Sequence, residues 1–275
     1  MVVWGRIRWN STWGRRRTAK LVSMSVLSAR HGDVTVITLN NPAKRNALTA
    51  QFAREIAEAI REASAGEVAE DRQARAILLR GEGPAFCAGA DLGGGVYGDD
   101  FWASITDMLN AITESPVPVI ADVQGPAVGA GCQLILACDL RVFGERGVCW
   151  IPVAKHAFAM DDWTIRRARE LLGGSVARNL LLGGAQVGTE QALALGFAMS
   201  KASVADQRDE PLEIAQSIAG GAPLSMEHSK RVLNHEDPAN DAELQQMFTD
   251  VWASEDASEA RRARAEQRAP HFTGR

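Results

Sequence analysis

The 275-residue chain has no run of about 18 or more apolar residues, the length a membrane-crossing helix needs, so no span is expected. Cysteine is scarce: Cys87, Cys132, Cys138 and Cys149 form no CxxC pair, and none keeps zinc-ligand company, which leaves no basis for a metal centre. Buried free thiols in a reducing cytoplasm are expected instead. A disorder signature is also missing, since 46% hydrophobic and 23% charged residues make an ordinary globular composition. No internal repeat is visible. Acid is absent from residues 1–23, which carry Arg6, Arg8, Arg15, Arg16, Arg17 and Lys20. The whole chain has a formal charge of −4, so the body beyond this +6 segment carries −10. An acidic body argues against general nucleic-acid binding, which rests on neutralising phosphates.

The basic segment 1–23 reads as an unstructured extension, with a targeting peptide as the alternative; its apolar run is too broken for a secretory signal. From Met24 the pattern is α/β. Strands are expected at Val34–Leu39, Ala76–Leu79, Val119–Val123 and Leu140–Phe143. Helices are expected from Thr49 (as cap) to Ser64, from about Phe101 to Thr113, and from about Ala127, opened by Gly125-Pro126, to Cys138. Such alternation implies βαβ crossovers and a largely parallel sheet. After residue 163 the pattern is helical, with helices near 163–172, 175–182, 189–195, 210–219, 224–233, 241–253 and 255–267, punctuated by Gly-Gly pairs and Pro223.

Gly93, Gly95 and Gly98 match G-x-G-x-x-G, but no strand precedes the motif and Asp99-Asp100 follow it, so a dinucleotide site is not expected. Two other Gly/Ala-rich segments carry more weight. Gly83–Leu92 (GPAFCAGADL) and Gly125–Cys132 (GPAVGAGC) each follow a strand, and the second enters a helix. Small residues admit a ligand close to the backbone, and a helix N-terminus presents unpaired N–H groups. Two such groups converging on one oxygen would form an oxyanion hole able to stabilise a thioester enolate. Each segment alone reads more readily as a tight turn.

With LNNPAKRNAL (Leu39–Leu48), FCAGADL (Phe86–Leu92), PVIADVQGPAVGAGCQLILACDLRV (Pro118–Val142) and ALALGFA (Ala192–Ala198), the chain strongly resembles the enoyl-CoA hydratase/isomerase (crotonase) family. The likeness runs from about Val26 to Phe272. It implies an α/β fold of the ClpP/crotonase-like type: a spiral of ββα units over residues 24–200 and a helical C-terminal trimerisation region over 201–275. It also implies a homotrimer or hexamer, an acyl-CoA or enoyl-CoA thioester as ligand, and no cofactor beyond coenzyme A as part of that ligand. The family's oxyanion N–H donors fall on Ala90 and Ala130. Its CoA contacts fall on Lys44, Arg45, Ala47, Ala88, Asp91 and Leu92, of which Lys44-Arg45 would supply a basic patch.

Against that family, two positions depart. Hydration of an enoyl thioester needs two acid/base groups. The resemblance puts the family's two glutamates at Gln133 and at Val153, just after Pro152, and neither residue exchanges protons at neutral pH. Acyl-CoA binding or carriage is therefore the favoured expectation. The alternative is an isomerase or hydratase using Asp161 or Asp162, although an Asp at position 162 equally suits a helix N-cap. Phe158, Met160 and Trp163 are candidates to line the acyl pocket, and His156 is a weaker acid/base candidate, read more readily as a packed or surface histidine.

Overall fold

The computed structural model describes residues 25–65, 74–93, 98–203, 205–206 and 208–275, so the basic extension lies outside the described residues. Gly32 (φ +62°) and Asp33 turn β1 (Val26–His31) back onto β2 (Val34–Leu39), and the two pair antiparallel. Sequence pattern does not flag β1, because its side chains are mostly exposed and supply no buried alternation. The helix α1 (Ala50–Ser64) starts where expected, with the Thr49 hydroxyl accepting from the Phe52 N–H at 3.1 Å.

The chain continues through β3 (Ala76–Gly81), α2 (Asp99–Thr113), β4 (Val119–Val123), β5 (Pro126–Val128), α3 (Ala130–Ala137), β6 (Leu140–Phe143) and β7 (Val148–Trp150). It then forms α4 (Val153–His156), α5 (Asp162–Leu172), α6 (Gly174–Leu181), β8 (Val187–Gly188), α7 (Thr189–Ala194) and β9 (Ser200–Lys201). The helices α8 (Asp209–Ala219), α9 (Pro223–Asn234), α10 (Ala242–Ala253) and α11 (Glu255–Ala265) follow. No helix among the described residues is long and apolar enough to cross a membrane.

Two expected boundaries are corrected. Helix α2 starts at Asp99 rather than Phe101, so the glycine motif does end at a helix, but Asp99 and Asp100 fill the first turn where an anion would sit. Gly95 lies outside the described residues. Second, Gly125-Pro126 opens a strand and not a helix. Here β5 is claimed by β7 on one side and by a Cys87–Ala127 bridge on the other, and α3 begins only at Ala130.

A six-stranded sheet runs in the order β1-β2-β3-β4-β6-β9, parallel except for the β1–β2 pair. A second stack of short pairings stands beside it: Leu48 with Ala90, Cys87 with Ala127, β5 with β7, then β7 with β8. Each circuit of the chain thus lays one strand in the large sheet, one short rib in the small stack, and a helix before the next strand. That repetition is the ββα spiral. It differs from an open doubly wound sheet because the rib takes the chain sideways before the helix returns it.

Strand alternation sends Ile37, Leu39, Ile77, Leu79, Ala121 and Phe143 to one face, against α1, α2 and α3. Val34, Val36, Ala76, Leu78, Ile120 and Val142 go to the other, which α8 covers with Ala215 and Ala219. All residues of α3 are buried, as its all-round apolar sequence requires. Arg141 closes the C-terminal end of α3, donating to the Ile135 and Cys138 carbonyls at 3.1 and 2.7 Å and to Phe197 O at 2.6 Å. Burial pulls its pKa down to about 10, and the Phe197 ring lies 4.5 Å beneath the guanidinium.

Asp122 on β4 is only 2% exposed. Its carboxylate lies 3.5 Å from Arg80 Nε, and burial pushes its pKa up to about 6. Folded-state Asp122 therefore holds its proton to higher pH than the unfolded chain does, and stability from this group is lost as pH rises through 6. The loss is bounded near 3 kcal/mol by the usual conversion of pKa shift to free energy. Melting temperature measured from pH 5 to 7.5 is expected to fall less steeply in Asp122→Asn than in the parent.

Candidate functional site

The first small-residue segment is held from below by Asn46. This side chain is fully buried, in a left-handed backbone conformation (φ +55°) that Asn tolerates better than most residues. Its Nδ2 donates to the carbonyls of Glu82, Ala85 and Phe86 at 3.0–3.1 Å, and its Oδ1 accepts from Asn41 N–H at 2.8 Å. The loop after β3 is thereby fixed up to Cys87, whose thiol in turn donates to Asn46 O at 3.1 Å. Leu48 then clasps the loop, donating to Gly89 O at 2.7 Å and accepting from Asp91 N–H at 2.8 Å. The Ala90 N–H between these bonds has no partner among the described residues.

The second segment is bonded to the first, with Cys87 N–H donating to Pro126 O (3.1 Å) and Val128 N–H to Cys87 O (2.9 Å). Gly129 (φ +52°) turns the chain into α3 and donates to Trp150 O at 3.0 Å. Ala130 is the first residue of α3, and its N–H is also without a partner among the described residues. Two glycines let the segments touch. A methyl at Gly89 (φ +91°) would lie 2.6 Å from Val128 O and 3.6 Å from Ala130 N, and one at Gly131 would run into Cys87 O. The backbones around Ala90 and Ala130 are thus in contact, and both free donors line one cavity of about 100 Å³.

Ala88, Gln133, Pro152, Val153, Phe158 and Met160 line the same cavity, with Leu92 at 52% exposure. Ala88 N–H is taken by Arg45 O at 2.9 Å, which leaves its carbonyl to offer. Trp102 and His156 also line it. Trp102 comes from α2, where consecutive aromatics divide: Phe101 enters the core and Trp102 faces the cavity, their rings edge-on at 5.2 Å. His156, exposed as the surface reading expects, lines the cavity at the end of α4 and stacks on Phe158.

Lys44, Arg45, Ala47 and Asp91 do not line the cavity. Lys44 Nζ instead bonds Asp91 Oδ2 at 2.8 Å, tying the turn Pro42–Lys44 to the donor loop. That ammonium, aided by the Gly93 N–H, holds the Asp91 carboxyl below its ordinary pKa. Trp163 packs against the core and lines an outer groove with Arg166 and Glu236.

The two aspartates divide differently from expectation. Helix α5 begins at Asp162, so Asp161, not Asp162, is its N-cap: Oδ1 accepts from Thr164 N–H at 2.8 Å. Its Oδ2 accepts from Thr164 Oγ1 (2.7 Å) and Gln133 Nε2 (2.9 Å). Asp162 is 81% exposed and pairs with Arg166 at 3.0 Å. Neither carboxylate lines the cavity. Gln133 Nε2 also donates to Thr164 Oγ1 at 2.7 Å, so both its hydrogens are engaged. Gln133 Oε1 remains buried without a partner among the described residues.

All four cysteines are free and buried. Burial pushes the Cys87 and Cys138 thiols up to about 12, and a hydrogen bond with Cys149 followed by burial raises Cys132, so these three offer no thiolate nucleophile near neutral pH.

A family profile described as Enoyl-CoA hydratase/isomerase matches residues 29–275. A Mycobacterium tuberculosis protein named "Probable enoyl-CoA hydratase echA6" is 40% identical over 243 residues, covering 88% of this chain and 96% of that protein. "Enoyl-CoA hydratase EchA19" of the same species is 31% identical over 262 residues, covering 90% and 96%. Among solved structures, an enoyl-CoA hydratase/carnithine racemase from Magnetospirillum magneticum superposes with a TM-score of 0.80 at 28% identity, covering 91% of this chain and 96% of that one.

Proposed function

Because this chain belongs to the enoyl-CoA hydratase/isomerase family, we propose that it binds acyl-CoA thioesters by their carbonyl oxygen and does not hydrate them. One observation carries this reading. The N–H groups of Ala90 and Ala130, unpartnered among the described residues, share a cavity with Gln133 and Val153, where hydration would need carboxylic acids. Two convergent N–H donors suit a carbonyl that gains negative charge. A carboxamide and a valine cannot supply the paired proton transfers of hydration, each worth roughly 10²–10⁴ in rate.

Apolar walls from Val153, Phe158, Met160 and Trp102 support an acyl chain beyond the thioester. A cytoplasmic homotrimer or hexamer belongs to the same reading, supported by exposed Phe248 and Trp252 one turn apart on α10 (52% and 65%).

Calorimetry with hexanoyl-CoA, alongside loss of enoyl absorbance with crotonyl-CoA, tests the proposal. Binding without absorbance loss is expected. Absence of binding would remove the thioester reading, and rapid hydration by the parent chain would remove the carrier reading.

A further inference from the structure

Among the described residues that line the cavity, His156 is the one ionisable side chain. We infer that His156 is a general base for the Cα–H of a bound acyl thioester, giving the protein a proton-exchange activity at the carbon next to the carbonyl. This rests on the thioester reading above.

Three observations converge on it. The carbonyl grip is present as two unpartnered N–H groups, and a carbonyl held this way acidifies its neighbouring C–H, because the enolate's charge lands on the oxygen the donors face. Asp161 and Asp162 are absent from the cavity lining, and Gln133 and Val153 cannot accept a proton. His156 stands at the end of α4, three residues after Val153, and the left-handed Ala157 (φ +54°) terminates that helix. His156 is exposed, its ring lies 6.0 Å from that of Phe158 at an interplanar angle of 25°, and neither ring nitrogen has a hydrogen-bond partner among the described residues. Phe158 also lines the cavity, so the stack belongs to the site wall.

The step balances within the protein and its ligand. The Cα–H bond breaks, its electron pair forms the enolate C=C, and the carbonyl π pair moves to the oxygen held by Ala90 and Ala130. The proton passes to an imidazole nitrogen, which exchanges it with solvent and returns a solvent proton to Cα. No oxidant, metal or second substrate enters. An imidazole nitrogen that carries no proton has the lone pair this role requires.

The test follows the Cα–H proton resonance of hexanoyl-CoA in D2O with the full-length protein, while calorimetry reads binding separately. The parent is expected to speed loss of the resonance by about 10²-fold or more over protein-free solution, and His156→Gln to abolish most of that gain. Calorimetry checks that His156→Gln still binds hexanoyl-CoA, so that lost exchange is not lost binding, and His156→Ala should recover exchange when free imidazole is added. A parent that binds hexanoyl-CoA without accelerating exchange overturns this inference and leaves the binding proposal standing. Exchange that is as fast in His156→Gln as in the parent overturns the assignment to His156. Failure of binding removes both.

Discussion

Gln133→Glu combined with Val153→Glu is expected to turn this protein into a measurable hydratase of crotonyl-CoA, with each restored carboxyl contributing roughly 10²–10⁴ in rate. Both side chains line the cavity that holds the two free N–H donors, so the new acids would arrive where the double bond must lie. The two positions are unequal, however. Val153 has apolar neighbours, whereas Gln133 Nε2 now sits 2.9 Å from the Asp161 carboxylate. A glutamate there would face a like charge, which favours its protonated form and removes it as a base at neutral pH. Gln133→Glu with Val153→Glu and Asp161→Asn should therefore exceed the double variant near neutral pH. A progress curve of enoyl absorbance decides it. If all three proteins are equally inert while binding hexanoyl-CoA normally, the missing acids are not what separates this chain from hydration.

Asn46→Asp should be among the most damaging single substitutions in the chain. The change replaces an NH2 group that serves three carbonyls with a carboxylate oxygen that repels them, at a position with no exposure. Each buried polar group stranded in this way costs about 1–3 kcal/mol, so a loss of about 3 kcal/mol or more is expected. For a protein of this size that lowers the melting temperature by roughly 6–12 °C. The loop that positions Ala90 depends on the same bonds, so affinity for hexanoyl-CoA should drop as well. Asn46→Ala separates the contributions, since it removes the donors without adding charge and should fall between parent and Asn46→Asp. Scanning calorimetry of the three proteins reads the order directly.

Asn46 also shows where sequence reasoning ran short. It stood inside a quoted motif, yet nothing in its spacing says that one side chain will serve backbone some 40 residues away. Regular elements fared better: Val34–Leu39 and Val119–Val123 are strands with the expected ends, because β-branched runs between turn residues carry local information. The ribs β5, β7 and β8 did not, since strands of two or three residues have no period to detect and exist through their partners. Similarly, the two small-residue segments could be flagged from composition, and the family resemblance placed the donors at Ala90 and Ala130, whereas Trp102 reaches the cavity only through the spiral's three-dimensional closure. Asp161 and Asp162 looked alike in sequence. A one-residue shift in the start of α5 made one a cap and the other a surface ion pair.

The interlock of Gly89 and Gly131 against the facing segment has an evolutionary corollary. The two donors are main-chain atoms, so among ordinary single substitutions only proline at 90 or 130 deletes one outright. The acids of a hydratase are side chains, each removable by one codon change. On the proposed reading, drift in such a lineage would erase chemistry before ligand capture and leave thioester binders free to acquire a different proton shuttle.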